Sequence, residues 1–286
     1  MRPERDDREP SPIAYPAARM TTIRAARLDE YASFVRLFPL LETTDRIPGP
    51  ERWVKDIGPH TLFGERDGAV VAYLYGQTLP RTGYVRHLVV APEARGGGLG
   101  RALMRAAGRR FGDRGCERWC LNVKTDNTVA LGLYRSLGLT EAYPSTEMII
   151  AWASVAALPP SSPTVTARPL DAADDTTAER AFDLPEGQLG FVRAQPGRVL
   201  VGLRDGGEWE GLACFDPAFP GAFPFRVTGA TMVRALLEAL RPHALPGQAG
   251  VRAVVDDGDA VVDALTAAGA EVSMRLLHLE GTLPTD

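Results

Sequence analysis

The sequence predicts a mixed α/β protein built of two successive units, each a twisted, mostly antiparallel sheet flanked by helices. Three observations predict it. Strand-length and helix-length hydrophobic periods alternate along the chain. A proline- and serine-rich run, LPPSSP at 158–163, breaks the chain near its middle. The order of strand and helix signals is the same on both sides of that run, with the helix stop at Gly138 echoed at Gly269.

Residues 1–19 are charged and proline-rich without an apolar run, so they read as a loose tail and not as a signal peptide; Met20 reads as a natural start. Residues 22–25 are a short strand. Residues 28–38 form an amphipathic helix with Tyr31, Phe34, Val35 and Phe38 on one face. Pro50 opens a second, short helix over 50–56. Strands over 61–65 and 69–77 flank Asp67-Gly68, a tight hairpin turn. A further strand runs over 83–90 and stops before Pro92. Beyond it, Leu99, Ala102, Leu103, Ala106, Ala107 and Phe111 mark one face of a helix. Residues 116–123 alternate as a strand. Residues 127–137 are a helix with Ala130, Leu133, Tyr134 and Leu137 inward, stopped by Gly138. A strand over 146–152 closes the unit.

The second unit repeats this order more weakly: a strand over 165–168, helical segments over 175–194, a hairpin of 198–204 and 209–215, a strand over 223–228, a helix over 230–240, a strand over 251–255, a helix over 260–268 and a strand over 272–279. The resulting division is a tail over 1–19, a first unit over 20–153, a linker over 154–164 and a second unit over 165–286.

Composition narrows the function. With 45% hydrophobic residues the chain has ample material for a core. No stretch approaches the roughly 18 apolar residues of a membrane span. The three cysteines, Cys116, Cys120 and Cys214, are no disulfide framework and fit a reducing cytoplasm. Together with four scattered histidines they give no metal-ligand spacing, so no metal is expected. Charge is uneven: residues 1–158 carry 22 basic against 18 acidic side chains, the remainder 10 against 18. That pattern argues against nucleic-acid binding by the whole protein and for a small anionic ligand in the first unit.

The sharpest motif is Arg95-Gly96-Gly97-Gly98-Leu99-Gly100-Arg101, between a strand and a helix. A helix start leaves backbone N–H groups without partners, and its dipole favours an anion. Glycines let a phosphate approach closely, and two arginines add charged donors. The motif therefore predicts a phosphate or diphosphate cradle. It is no nucleotide P-loop, since Gly100 is followed by Arg101-Ala102 and not by Lys-Ser/Thr. It is no dinucleotide fingerprint, since the third glycine is absent and the motif follows the fourth strand.

LVVAPEARGGGLGRALM followed by LNVKTDNTVALGLYRSLGL resembles the GNAT superfamily of acyl-CoA-dependent N-acyltransferases. The family's diphosphate loop, Arg/Gln-x-x-Gly-x-Gly/Ala, is met by Arg95, Gly98 and Gly100, and the resemblance covers about residues 21 to 152. It implies tandem GNAT folds and direct attack of a primary amine of a small molecule or peptide on the thioester of acetyl-CoA. By this resemblance Leu88, Val89 and Val90 pair with the pantetheine arm, residues 96–101 hold the diphosphate, Asn127 contacts the cofactor arm and Tyr134 protonates the departing thiolate. Asn127 also suits a helix cap, a compatible role. Some relatives place a glutamate base where this chain has Asn122, which cannot serve. Tyr84, Arg86 and His87 stand where others place acidic or histidine residues, which makes His87 the candidate base and Tyr84, Arg86 and Asn122 candidate substrate contacts. Strand direction and bulges decide which of residues 86 and 87 faces the cleft.

At the corresponding loop the second unit reads Arg226-Val227-Thr228-Gly229-Ala230-Thr231, and Leu265 stands where the first has Tyr134. Asp256, Asp257 and Asp259 gather near the matching helix start, where an anionic arm would be repelled. This unit is expected to be a degenerate copy that binds no CoA and shapes the substrate cleft. A non-catalytic acyl-CoA-binding sensor or interaction protein is the alternative.

Overall fold

The computed structural model describes residues 20–43, 45–256 and 258–284; the tail expected over 1–19, and Asp257, lie outside the described residues. The first half contributes strands β1 (Thr21–Ala25), β2 (Thr61–Arg66), β3 (Ala69–Thr78), β4 (Thr82–Val90), β5 (Arg118–Lys124) and β6 (Thr140–Ala151). Its helices are α1 (Tyr31–Leu37), α2 (Pro50–Arg52, continued by a wider turn over Trp53–Ile57), α3 (Leu99–Gly112) and α4 (Thr128–Arg135). The second half follows with β7 (Thr166–Pro169), α5 (Asp175–Ala181), α6 (Gln188–Arg193), β8 (Val199–Asp205), β9 (Glu208–Asp216), β10 (Gly221–Val227), α7 (Ala230–Leu240), β11 (Gly250–Asp256), α8 (Asp259–Ala267) and β12 (Glu271–Thr282).

The halves join into one sheet, in the order β1-β2-β3-β4-β5-β12-β6-β11-β10-β9-β8-β7. Matching each strand with its counterpart in the other half, the order reads the same from both ends. At the centre the halves exchange their last strands: β12 lies between β5 and β6, and β6 lies between β12 and β11. This explains why β6 begins at Thr140 and not near 146. Residues 140–145 are polar and interrupted by Pro144, and their partner is β12, far away in sequence. The seam depends on close backbone approach. A Cβ on Gly281 would stand 2.6 Å from the Gly138 carbonyl oxygen, and one on Gly250 would stand 2.2 Å from that of Ile150.

Strand alternation sends side chains to two faces. In the first half Phe63, Tyr73, Tyr75 and Val89 pack with Phe34 and Leu37 of α1 and with Trp53. Leu62, Leu74 and Val85 turn the other way, onto Leu103, Met104 and Phe111 of α3 and Leu131 of α4. Residues of α3 reach the sheet backbone itself, because Gly83 leaves the space that the Phe111 ring fills. The second half repeats the scheme, with α7 and α8 on one face and α5 and α6 on the other.

Candidate active site

The glycine loop leaves β4 through a single tight turn over Pro92–Ala94. Gly96 and Gly98 both take positive φ, +77° and +76°, a region open to glycine and strained for other residues. At Gly97 a Cβ would stand 2.6 Å from Nη2 of Arg66. Gly98 is the N-cap of α3 and has no side chain to cap it. Among the described residues, no backbone amide from Gly96 to Arg101 donates to a protein acceptor. These donors and the positive end of a fourteen-residue helix converge on an exposed spot. Arg95 folds back, its Nε donating to the Val90 carbonyl (3.1 Å). Arg66 adds a third guanidinium, donating to the carbonyls of Glu93 (3.2 Å) and Ala94 (3.0 Å). Arg66 ends a hairpin strand distant from the motif, so no local spacing announces it.

Beside this loop the sheet opens. β4 and β5 run parallel and pair from Thr82–Val85 against Arg118–Leu121; beyond that they diverge. Leu88, Val89 and Val90 stay bonded to β3 on one side, and the side towards β5 is left unpaired. On β3, Tyr75 and Gly76 face His87 and Val85, so Arg86 is an extra residue, a bulge in β4. Strict alternation is thereby broken, and Arg86 and His87 both line one cavity, with Asn122 across the opening.

The cavity, of about 430 Å³, lies on the α1 and α6 face of the sheet, between the halves. Arg52, Phe38 and Glu147 line it from the first half; Arg198, Asp216 and Phe223 line it from the second. Asp216 pairs with Arg198 and with Arg52 (3.5 Å), and Asp45 pairs with Arg252 (3.1 Å), so two ion pairs tie the halves together at its rim. None of the second-half residues was legible from sequence, because strand exchange alone brings them to the first half's opening.

The expected site residues meet different fates. Tyr84 is no part of the cavity wall. It is buried beneath Arg86, whose guanidinium lies over its ring (4.6 Å) and over that of Phe223 (4.9 Å). The Tyr84 hydroxyl instead accepts from Asn122 Nδ2 (3.1 Å), and Asn122 Oδ1 lies 2.8 Å from Nδ1 of His278 on β12. His87 is packed against the rings of Phe38, Tyr73 and Tyr75. Burial, reinforced by Arg86 and Arg52, pushes its imidazole down to about 3. So low a value makes it a poor acceptor of an alkylammonium proton, against its expected role as base. Asn127 is exposed and caps α4, accepting from the Ala130 amide (3.1 Å). Tyr134 on α4 is buried, burial raises its hydroxyl pKa, and among the described residues that hydroxyl has no hydrogen-bond partner.

In the second half the corresponding opening is bridged. β10 and β11 pair only at Gly221 and Ala222, and beyond them Arg226 and Asp256 form an ion pair (2.8 Å) across the gap. α7 begins directly from Gly229 without a glycine loop, and the Glu210 carboxylate accepts from Thr228 beside that start. Leu265 is fully buried.

Residues 24–139 match the acetyltransferase (GNAT) family. Among solved structures, a GCN5-related N-acetyltransferase from Sphaerobacter thermophilus superposes over 93% of this chain and 96% of its own, with a TM-score of 0.64 and 19% identity. A tandem GNAT protein from the clavulanic acid biosynthesis pathway superposes over 94% of this chain and 100% of its own, with a TM-score of 0.60 and 18% identity. A GCN5-related N-acetyltransferase from Kribbella flavida covers 91% of this chain and 71% of its own, with a TM-score of 0.51 and 19% identity. Residues 24–139 thus match the acetyltransferase (GNAT) family, and the chain as a whole has the fold of a tandem GNAT protein.

Proposed function

We propose that the chain is an N-acetyltransferase that moves the acetyl group of acetyl-CoA to a primary amine of a small molecule or peptide by direct attack, with one working site, in the first half. The observation that carries this reading is the set of unpartnered amides from Gly96 to Arg101 beside the opening between β4 and β5. An acyl-CoA suits both features, because it joins a diphosphate to an extended arm with amide groups. Bound there, acetyl-CoA supplies an activated acetyl carbonyl.

The chain's own residues divide the work. The amides of 96–101, with Arg95, Arg101 and Arg66, hold the diphosphate. The unpaired edge of Leu88, Val89 and Val90 takes up the arm as an added strand, and an N–H from that edge stabilises charge developing on the carbonyl oxygen. Asn127 borders the arm from the start of α4. Tyr134 gives its proton to the departing sulfur; such donors contribute about 10²–10⁴-fold. The acceptor enters through the cavity, where Arg86, His87 and Asn122 meet it, and Tyr84 holds Arg86 and Asn122 in place. His87 orients the amine by a hydrogen bond, and the amine's proton leaves to solvent. The second half, with its opening bridged by Arg226 and Asp256, binds no CoA and walls the acceptor cavity. The buried free thiols of Cys116, Cys120 and Cys214 suit a reducing compartment such as the cytoplasm.

The test is calorimetry with coenzyme A, followed by detection of free thiol released from acetyl-CoA with a panel of amines. Binding with amine-dependent release is expected. Tight binding without release by any amine would mark a sensor, and absence of binding would sink the cradle itself.

A further inference from the structure

If the cavity is the acceptor site of that reaction, the charges in its wall define the acceptor. Of its five arginines, three already have carboxylate partners: Arg52 and Arg198 meet Asp216, and Arg252 meets Asp45; Arg46 is exposed at the rim. Arg86 differs. Its guanidinium lies over the faces of Tyr84 and Phe223, and among the described residues it makes no ion pair or hydrogen bond. The two rings, set at 68° to each other, hold the guanidinium carbon in place and leave its N–H donors unused, and a guanidinium with free donors binds carboxylate or phosphate in a two-pronged manner. Glu147, on β6 in the same wall, makes the opposite demand. Its Oε1 is buried and has no hydrogen-bond partner among the described residues. A buried carboxylate oxygen without a donor favours a ligand that brings one.

We propose that the acceptor is a small amphoteric amine, with a carboxylate or phosphate group that docks on Arg86 and N–H groups that satisfy Glu147. The volume of about 430 Å³ lies in the range of small-molecule sites, about 300–1,000 Å³. A polyamine would bring cations to an unpaired guanidinium. A neutral amine would leave Arg86 without an anion, and the site discriminates against both.

Thiol release from acetyl-CoA by the full-length protein tests this, with free amino acids and phosphoethanolamine set against amino-acid amides, ethanolamine and spermidine. Anion-bearing acceptors are expected to exceed their neutral counterparts in kcat/KM by about tenfold or more, and whether the carboxylate or the phosphate arm responds names the anion. Arg86→Gln is expected to raise KM for anion-bearing acceptors at least tenfold more than for neutral ones, and Arg86→Lys to recover part of that loss. Glu147→Gln is expected to raise acceptor KM while calorimetry with coenzyme A stays unchanged. A preference for amides or spermidine, or an Arg86→Gln effect equal across the panel, overturns the proposal. Either of those results, with turnover present, overturns this proposal alone, whereas coenzyme A binding with no turnover of any panel amine, or no binding at all, removes the proposed function with it, which separates the two failures.

Discussion

Tyr134 carries its proton in a buried position, and the raised pKa keeps that proton in place throughout the neutral range. Tyr134→Phe removes one oxygen from a site already apolar, so the fold should be little disturbed. We expect kcat to fall by about 10²–10⁴ with little change in coenzyme A affinity, read from thiol release and calorimetry. Two buried histidines make the stability of the fold depend on pH. His87 and His278 are held down to about 3 and about 4, mainly by burial, so both are neutral in the folded chain well below their ordinary value near 6.5. The unfolded chain protonates them as pH falls below about 6.5. It then binds more protons than the native state, so their stabilising contribution is full above that point and is lost as pH falls towards about 4 and then 3. Melting temperature should drop over this window, and less steeply in a His87→Asn, His278→Asn variant. Tyr134, Asn127 and the glycines were legible in sequence because helix spacing and a contiguous motif fix their positions. Arg86 and His87 were both named from sequence, but that the two share one cleft was not legible, since the bulge at Arg86 breaks the alternation by which a strand is read. His278 and Arg66 were invisible because their partners are remote in sequence.

On the proposed function, coenzyme A is held by the start of α3, shaped by two left-handed glycines. Gly98→Val forces a β-branched residue into a φ of +76° at the N-cap, so the loop must re-form and the amides lose their common aim. We expect coenzyme A affinity to weaken by about tenfold or more in calorimetry, with the melting temperature changed far less than by a core substitution. The strands and helices themselves were largely readable, with ends displaced by a few residues, because apolar periods and glycine stops such as Gly138 and Gly269 are local signals. β6 was the exception. Its first residues look like a loop around Pro144, and only pairing with β12 makes them a strand.

Across the whole molecule, the exchange of β6 and β12 makes each half depend on the other. A chain ending near residue 158 would lack β12 and β11, exposing unpaired edges on both β5 and β6. We expect residues 20–158 alone to be insoluble or self-associated in size-exclusion chromatography, and to recover a one-to-one complex when co-expressed with residues 159–286. A monomeric, folded 20–158 fragment would contradict this. The repeated order of elements pointed to two similar units, but nothing in the apolar pattern of residues 272–279 says which strands become their neighbours. Register across a sheet is set by tertiary contacts, and one chain's hydrophobic periods do not encode them.

The traded strands also account for which features the second half has kept. On the proposed function the second half does no chemistry, so it needs neither a phosphate loop nor a proton donor, and Thr228-Gly229 and Leu265 stand in their places. It is not free to shed β12, because that strand completes the neighbour's scaffold. On that reading, damage to the second half should register first as a defect in the first, and a lesion in β12 would mimic an active-site mutation without touching a single reacting group.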